Sequence, residues 1–262
     1  MSDSIIPTPS VELLVRMSHN IDFKDKILKI FGSGAKVAAI AGSANGKDLR
    51  LFASQLSAAR RWMKFLKIMR STGEILNPIA DIQVFNSAKA RPYDYMKLVL
   101  SKLEFVADIA QMVAEDVNTL HKGHFWTSGL GFKPIPNLSN IEDKAWWFWS
   151  VMATVNAYIE LKEITGEYFA SNLRLETCTD DSQRVTLKAE NVGLKIKYYL
   201  TLFKFVKFAC EVLDSSIALA PESVKSISPS MFELVSCCAG SVSAVSSLHK
   251  LFHSEAAKIA RK

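Results

Sequence analysis

Residues 49–73, LRLFASQLSAARRWMKFLKIMRSTG, hold six basic side chains (Arg50, Arg60, Arg61, Lys64, Lys67 and Arg70) and no acid. The whole chain of 262 residues carries 32 Lys plus Arg against 26 Asp plus Glu, a net charge of +6. This one stretch therefore holds the entire excess, which points to a single basic docking surface rather than a uniformly cationic protein. On a helical wheel Phe52, Leu56, Ala59, Met63 and Leu66 share a narrow sector. Trp62, Phe65 and Met69 widen that sector, and Arg50, Arg60, Arg61, Lys64 and Lys67 fall opposite it or along its edge. Ile68 departs from the pattern.

A helix with Trp and Phe on one face and Lys and Arg on the other suits the lipid interface. Each base near an anionic leaflet contributes on the order of 1 kcal/mol, and the apolar face holds the helix once recruited. Such a wedge favours positive curvature without any chemistry. A core-packing helix with a solvated basic face is the ordinary alternative, but an exposed helical face normally mixes signs in i, i+4 pairs. A nucleic-acid surface is weaker still, because no recognition motif joins the bases. A calmodulin-like partner could read the same face.

Working outward from this segment, helical periodicity dominates and strand alternation is absent, which predicts an all-α chain. Asp22 is expected to cap a helix running toward Ala44 and stopped by Asn45-Gly46. Asp48 is expected to open the basic helix, which stops near Thr72-Gly73. Pro78 and Pro92 suit first helical turns, the second launching an element from Tyr93 to about Leu120. A Gly- and Pro-bearing loop over 123–140 separates an N-terminal amphipathic-helix region, 1–122, from a C-terminal helical membrane region, 141–262. Ile141 to about Thr165 reads as an apolar helix with Trp146, Trp147, Phe148 and Trp149 near its start. A polar break over Thr177 to Ser182 precedes a helix from Arg184 to Leu219 that closes at Pro221. A last helix starts near Pro229.

Apolar residues make up 49% of the chain and the mean hydropathy is +0.12, values that exclude disorder and suggest a membrane surface or a few short spans. Two windows are candidate spans, 145–159 and 234–248, the second extending back to Ser226 if Glu233 is tolerated. Both are short for a bilayer, which wants about 20 apolar residues, and a buried helix in a soluble bundle fits them equally. The second carries Ser236, Gly240 and Ala244 at i, i+4 and i+8, a small-residue stripe suited to close helix–helix packing.

Signatures of catalysis are missing. His121 and His124 lack the intervening helical Glu of zinc hydrolases. His249 and His253 stand at i, i+4 without a third ligand. Phe31-Gly32-Ser33-Gly34 lacks the GK[ST] of a phosphate loop. Cys178, Cys210, Cys237 and Cys238 have no metal spacing and read as inert thiols. Neither an enzyme activity, a metal nor a cofactor is expected. The first residues lack a charged stretch followed by an apolar one, so no secretory leader is expected.

The order of features resembles the peroxin eleven family of peroxisomal membrane-proliferation proteins, which includes glycosomal relatives. Asp22-Phe-Lys-Asp-Lys-Ile-Leu-Lys-Ile-Phe followed by Gly34-Ala-Lys is similar to the family's opening helix. Leu56-Ser-Ala-Ala-Arg-Arg-Trp-Met-Lys-Phe is similar to its basic helix, and Lys144-Ala-Trp-Trp-Phe-Trp-Ser to its aromatic mid-chain helix. Leu202-Phe-Lys-Phe-Val-Lys-Phe-Ala-Cys-Glu-Val-Leu-Asp resembles its penultimate helix and Cys238-Ala-Gly-Ser-Val-Ser-Ala its last. Gly240 stands alone where relatives carry several glycines. The resemblance implies a peroxisomal or glycosomal membrane protein with both termini in the cytosol, which elongates the membrane before fission. It further implies self-association into a homo-oligomer, recruitment of dynamin-type fission machinery, and delivery by a membrane-protein import receptor. A small-metabolite channel is the family's other proposed activity. The expected partner is an anionic phospholipid membrane, with no nucleic acid.

Overall fold

The computed structural model describes residues 11–42, 45–65, 92–122 and 137–260. Among them the chain is all-α: α1 (Val11–His19), α2 (Ile21–Ile40), α3 (Gly46–Lys64), α4 (Pro92–Lys122), α5 (Leu138–Thr177), α6 (Asp181–Leu219), α7 (Glu222–Lys225) and α8 (Pro229–Ala260). No strand occurs among the described residues.

Local chemistry sets most boundaries. The α2 cap is Asn20 rather than Asp22: its side-chain oxygen accepts from the Asp22 N–H at 2.8 Å and the Phe23 N–H at 3.4 Å. Asp22 then sits in the first turn, where its charge suits the helix dipole. α2 stops four residues earlier than expected, and Gly42 turns the chain at φ +86°, in the left-handed region that favours glycine. Gly46, expected as a stop, is instead the first residue of α3. The acidic break is three residues, 178–180. Asp180 caps α6 by accepting from the Ser182 N–H at 2.9 Å and its hydroxyl at 2.8 Å.

α5 has 40 residues and α6 has 39, so both outrun the sequence expectation and form a long antiparallel hairpin. α4 lies on α5, α8 packs along α6 and α2, and α3 packs chiefly on α2. The distal α5–α6 contact is polar and aromatic. Asn191 donates to the Asn172 side-chain oxygen at 2.7 Å, and Tyr168 stacks on Tyr198 with ring centroids 5.7 Å apart. Nearer the bundle centre, Ala153 and Ala157 of α5 bury against Phe208 of α6, whose ring meets Trp149 edge-on at 5.5 Å.

The interior mixes sizes. Leu13, Met17, Met112, Ile164 and Phe208 are buried beside Ser150, Ala153, Ala157, Ser215, Ala239, Ser243, Ala244 and Ser246, with Asp25, Asn118 and Glu211 among them. Many other large apolar side chains face outward, including Val106, Phe148, Tyr158, Phe169, Leu173, Met231 and Val245. Water-soluble domains bury their Leu, Ile and Phe and leave charges outside. Extensive exposed apolar surface marks a protein or membrane contact.

Of the two candidate spans, α8 carries a stretch, Pro229–Ile259, long and apolar enough to cross a membrane by length and composition. The window at 145–159 does not, because Lys144 and Glu160 bound it within the longer α5.

Candidate functional site

The site grows from one carboxylate. Asp25 of α2 is 1% exposed and faces three cations. Arg60 Nε lies 2.9 Å from its Oδ1, Lys26 Nζ 3.0 Å from its Oδ2, and Lys64 Nζ 4.0 Å from Oδ2. Arg60 and Lys64 are one helical turn apart, so both project from the α3 face that meets α2. Lys64 also lies 3.7 Å from Glu115 of α4, and Arg61 Nη1 3.5 Å from Glu142 of α5. Asn118 donates to the same Glu142 carboxylate. Toward the start of α3, Arg50 Nη1 lies 2.7 Å from Glu233 Oε1 and 2.9 Å from its Oε2.

The pairs made by Asp25, Glu115 and Glu142 surround a cavity of about 350 Å³ between α2, α3, α4, α5 and α6. Its walls combine Asp22, Asp25, Asp108, Glu115, Glu142, Glu211 and Asp214 with Lys26, Lys29, Arg60, Arg61, Lys64 and Lys207, and Trp146 and Trp149 complete them. Burial pushes the Asp25 carboxyl up, but Lys64, Lys26 and Arg60 outweigh it and hold the group well below the usual carboxylate range. Burial lowers the Lys64 ammonium, against the pull of Glu115 and Asp25. It brings Lys29 down to about 8, although Glu211 and Asp214 favour its charge. Glu211 is pushed up by burial and drawn below its ordinary value by Lys207, Lys29 and the Ser243 hydroxyl, which donates to it at 2.7 Å.

The basic helix is oriented differently from the sequence expectation. Its bundle side centres on buried Ala53 with Arg60 and Lys64, and its outer side carries Leu51, Gln55, Ala58, Ala59 and Trp62. Leu51 is 60% exposed, Phe52 48% and Trp62 44%. Leu56, Met63 and Phe65 are half-buried at the boundary, with the Phe65 and Trp62 ring centroids 5.6 Å apart. Arg60, Arg61 and Lys64, expected to lie free for headgroups, are each held by a bundle carboxylate. Such pairing costs less than leaving uncompensated charges on either side of a tight helix–helix contact. Leu66, Lys67 and Arg70 lie outside the described residues.

The stripe on α8 packs within the chain. Ser236 donates to Asp214, Ala244 is fully buried, and a Cβ at Gly240 would come within 3.1 Å of Lys29 Cε. The small side chains thus leave room for a lysine stem from α2, with Asp214 of α6 alongside. The His249 and His253 rings meet at a tilt with centroids 4.7 Å apart, and His249 lies 4.4 Å from the Phe203 ring. Among the described residues no group of three side chains could hold a metal ion.

The acids that answer the basic helix escaped the sequence reading, because Asp25, Glu115, Glu142 and Glu233 come from four different helices. Periodicity held a clue: Lys204, Lys207, Glu211 and Asp214 recur every three or four residues along the otherwise uncharged 198–219 part of α6. Compared with family models, with curated proteins and with solved structures, the chain finds no match.

Proposed function

We propose that this chain is a membrane protein of peroxisomes or glycosomes that bends and elongates the organelle membrane before division, with both termini in the cytosol. Its acting surface is the segment at 49–70. The observation that carries this reading is the pairing, on α3, of exposed Leu51, Phe52 and Trp62 with Arg50, Arg60, Arg61 and Lys64, within a stretch of sequence, 49–73, that holds six bases and no acid. Aromatic and aliphatic groups left outside a folded bundle are free to enter an acyl layer, and the nearby cations favour a leaflet rich in anionic phospholipid. The apolar exterior of the bundle and the span-length α8 support residence at a membrane.

The resemblance to the peroxin eleven family adds the organelle, self-association, the fission machinery and the import receptor to this proposal. No cofactor or catalytic residue belongs to it. Imaging a tagged copy in cells tests it. Overexpression should give fewer, longer organelles or an increased number after division, with the tag on the peroxisomal or glycosomal membrane. An unchanged organelle population with a diffuse tag would contradict it.

One observation favours a second reading, a channel for small metabolites: the charged cavity walled by five helices lies inside an apolar exterior. Ionisable groups inside a membrane bundle commonly mark a solute path. Planar-bilayer recordings from purified protein decide between them, since steady unitary conductance is expected of a channel and not of a wedge.

A further inference from the structure

We propose that the docked α3 is the resting position of a latch, in which Asp25 occupies the place that a phospholipid phosphate takes when the helix moves onto an anionic bilayer. This rests on the membrane reading above and concerns how that surface is regulated. While Arg60 and Lys64 are paired with the bundle carboxylates they do not reach a bilayer phosphate. In the bundle they are turned inward onto Asp25 and Glu115, away from the side that carries Leu51 and Trp62.

The dock is built to be released. α3 fully buries one residue, Ala53, with Leu49, Leu56 and Met63 half-buried, so its release exposes a modest apolar surface. Its charge pairs line the cavity of about 350 Å³, and although Asp25 is buried, the cations keep side-chain exposures of 20% for Arg60 and 29% for Lys64, so the groups that a bilayer must reach are already partly in water. A surface dense in phosphate presents the same cations with many acceptors at once. It also gives the outward apolar side chains an acyl layer. A ligand that favours only the released helix draws the population toward it.

Gly32 of α2 and Leu56 of α3 supply the test. A Cβ built on Gly32 lies 4.0 Å from the Leu56 Cβ, within disulfide span. The full-length Gly32→Cys/Leu56→Cys protein, oxidised and then reduced, is sedimented with phosphatidylcholine vesicles containing phosphatidylserine. Wild type given the same oxidant controls for the native cysteines. The oxidised variant should bind on the order of tenfold more weakly than the same protein reduced. Asp25→Asn, which removes the competing carboxylate, should bind about threefold or more tightly than wild type.

Equal binding by the oxidised and reduced forms would overturn the latch, as would an Asp25→Asn protein no tighter than a wild type that binds. If cysteine at these positions abolishes binding even when reduced, the Asp25→Asn comparison alone decides. A wild type that ignores phosphatidylserine vesicles would defeat the membrane reading itself, which is a different result from a latch that fails to open.

Discussion

Asp25 concentrates the electrostatics of the molecule in one side chain. Buried among Arg60, Lys26 and Lys64, its folded pKa lies below the unfolded one. Its contribution to stability is therefore complete above the unfolded value of about 3.9 and is lost as pH falls below it. Asp25→Asn should lower stability by roughly 2 kcal/mol at neutral pH, discounted for cations that remain partly in water. In thermal melts in detergent, wild type should lose its advantage over the variant between about pH 4 and more acid values. A difference between the two that stays constant on acidification would contradict the assignment. This residue was not legible as a partner of α3, because 35 positions separate Asp25 from Arg60 and no local pattern joins them. The basic run itself was legible, since a charge count needs no third dimension.

At the scale of elements, α3 differs from its neighbours in what holds it. The α5–α6 hairpin buries Ala153, Ala157 and Phe208, with Trp149 and Phe205 packed around them, and extends through a tyrosine stack and an asparagine pair. α3 fully buries only Ala53 and adds half-buried Leu49, Leu56 and Met63 to its ion pairs. Local opening follows the apolar contact that must be broken, so α3 amides should exchange with deuterium at least about tenfold faster than those of central α5 and α6. Equal protection would show that the ion pairs alone hold α3 as firmly as packing holds the hairpin. Helix identity was readable from period and punctuation, down to Pro92 and Pro229 in the first turns. The caps slipped where two capping residues stood close together, as Asn20 and Asp22 do. The orientation of α3 was not readable either. A wheel ranks its faces by polarity, whereas the bundle recruited the cations inward because it had carboxylates to meet them.

For the molecule as a whole the governing feature, among the described residues, is the number of large apolar groups left outside, while charged and small groups share the interior with Leu13, Met17, Met112 and Ile164. The apolar total was visible in the composition, but its distribution was not. A hydropathy window averages around a helix, so it does not say which of its residues the bundle covers. The stripe Ser236, Gly240 and Ala244 was recognised as a close-packing surface, yet its partners are Lys29 and Asp214 of the same chain. Any association between copies must therefore use another face.

The measurement that bears most directly on this account is vesicle tubulation by the Leu51→Ser/Phe52→Ser protein. Replacing Arg60, Arg61, Lys64 and Lys67 by Glu is less clean, because new acids at 60, 61 and 64 would face Asp25, Glu142 and Glu115 and disturb the bundle. Leu51 and Phe52 point outward, and exposed substitutions usually shift stability by about 0.5 kcal/mol or less. In a bilayer each buried side chain of this size is worth about 1.5–3 kcal/mol. Electron microscopy of anionic vesicles should therefore show tubules with wild type and smooth spheres with the variant, at matched melting temperatures. Tubules of equal number and length with both proteins would contradict the claim that the outward face of α3 acts on the membrane.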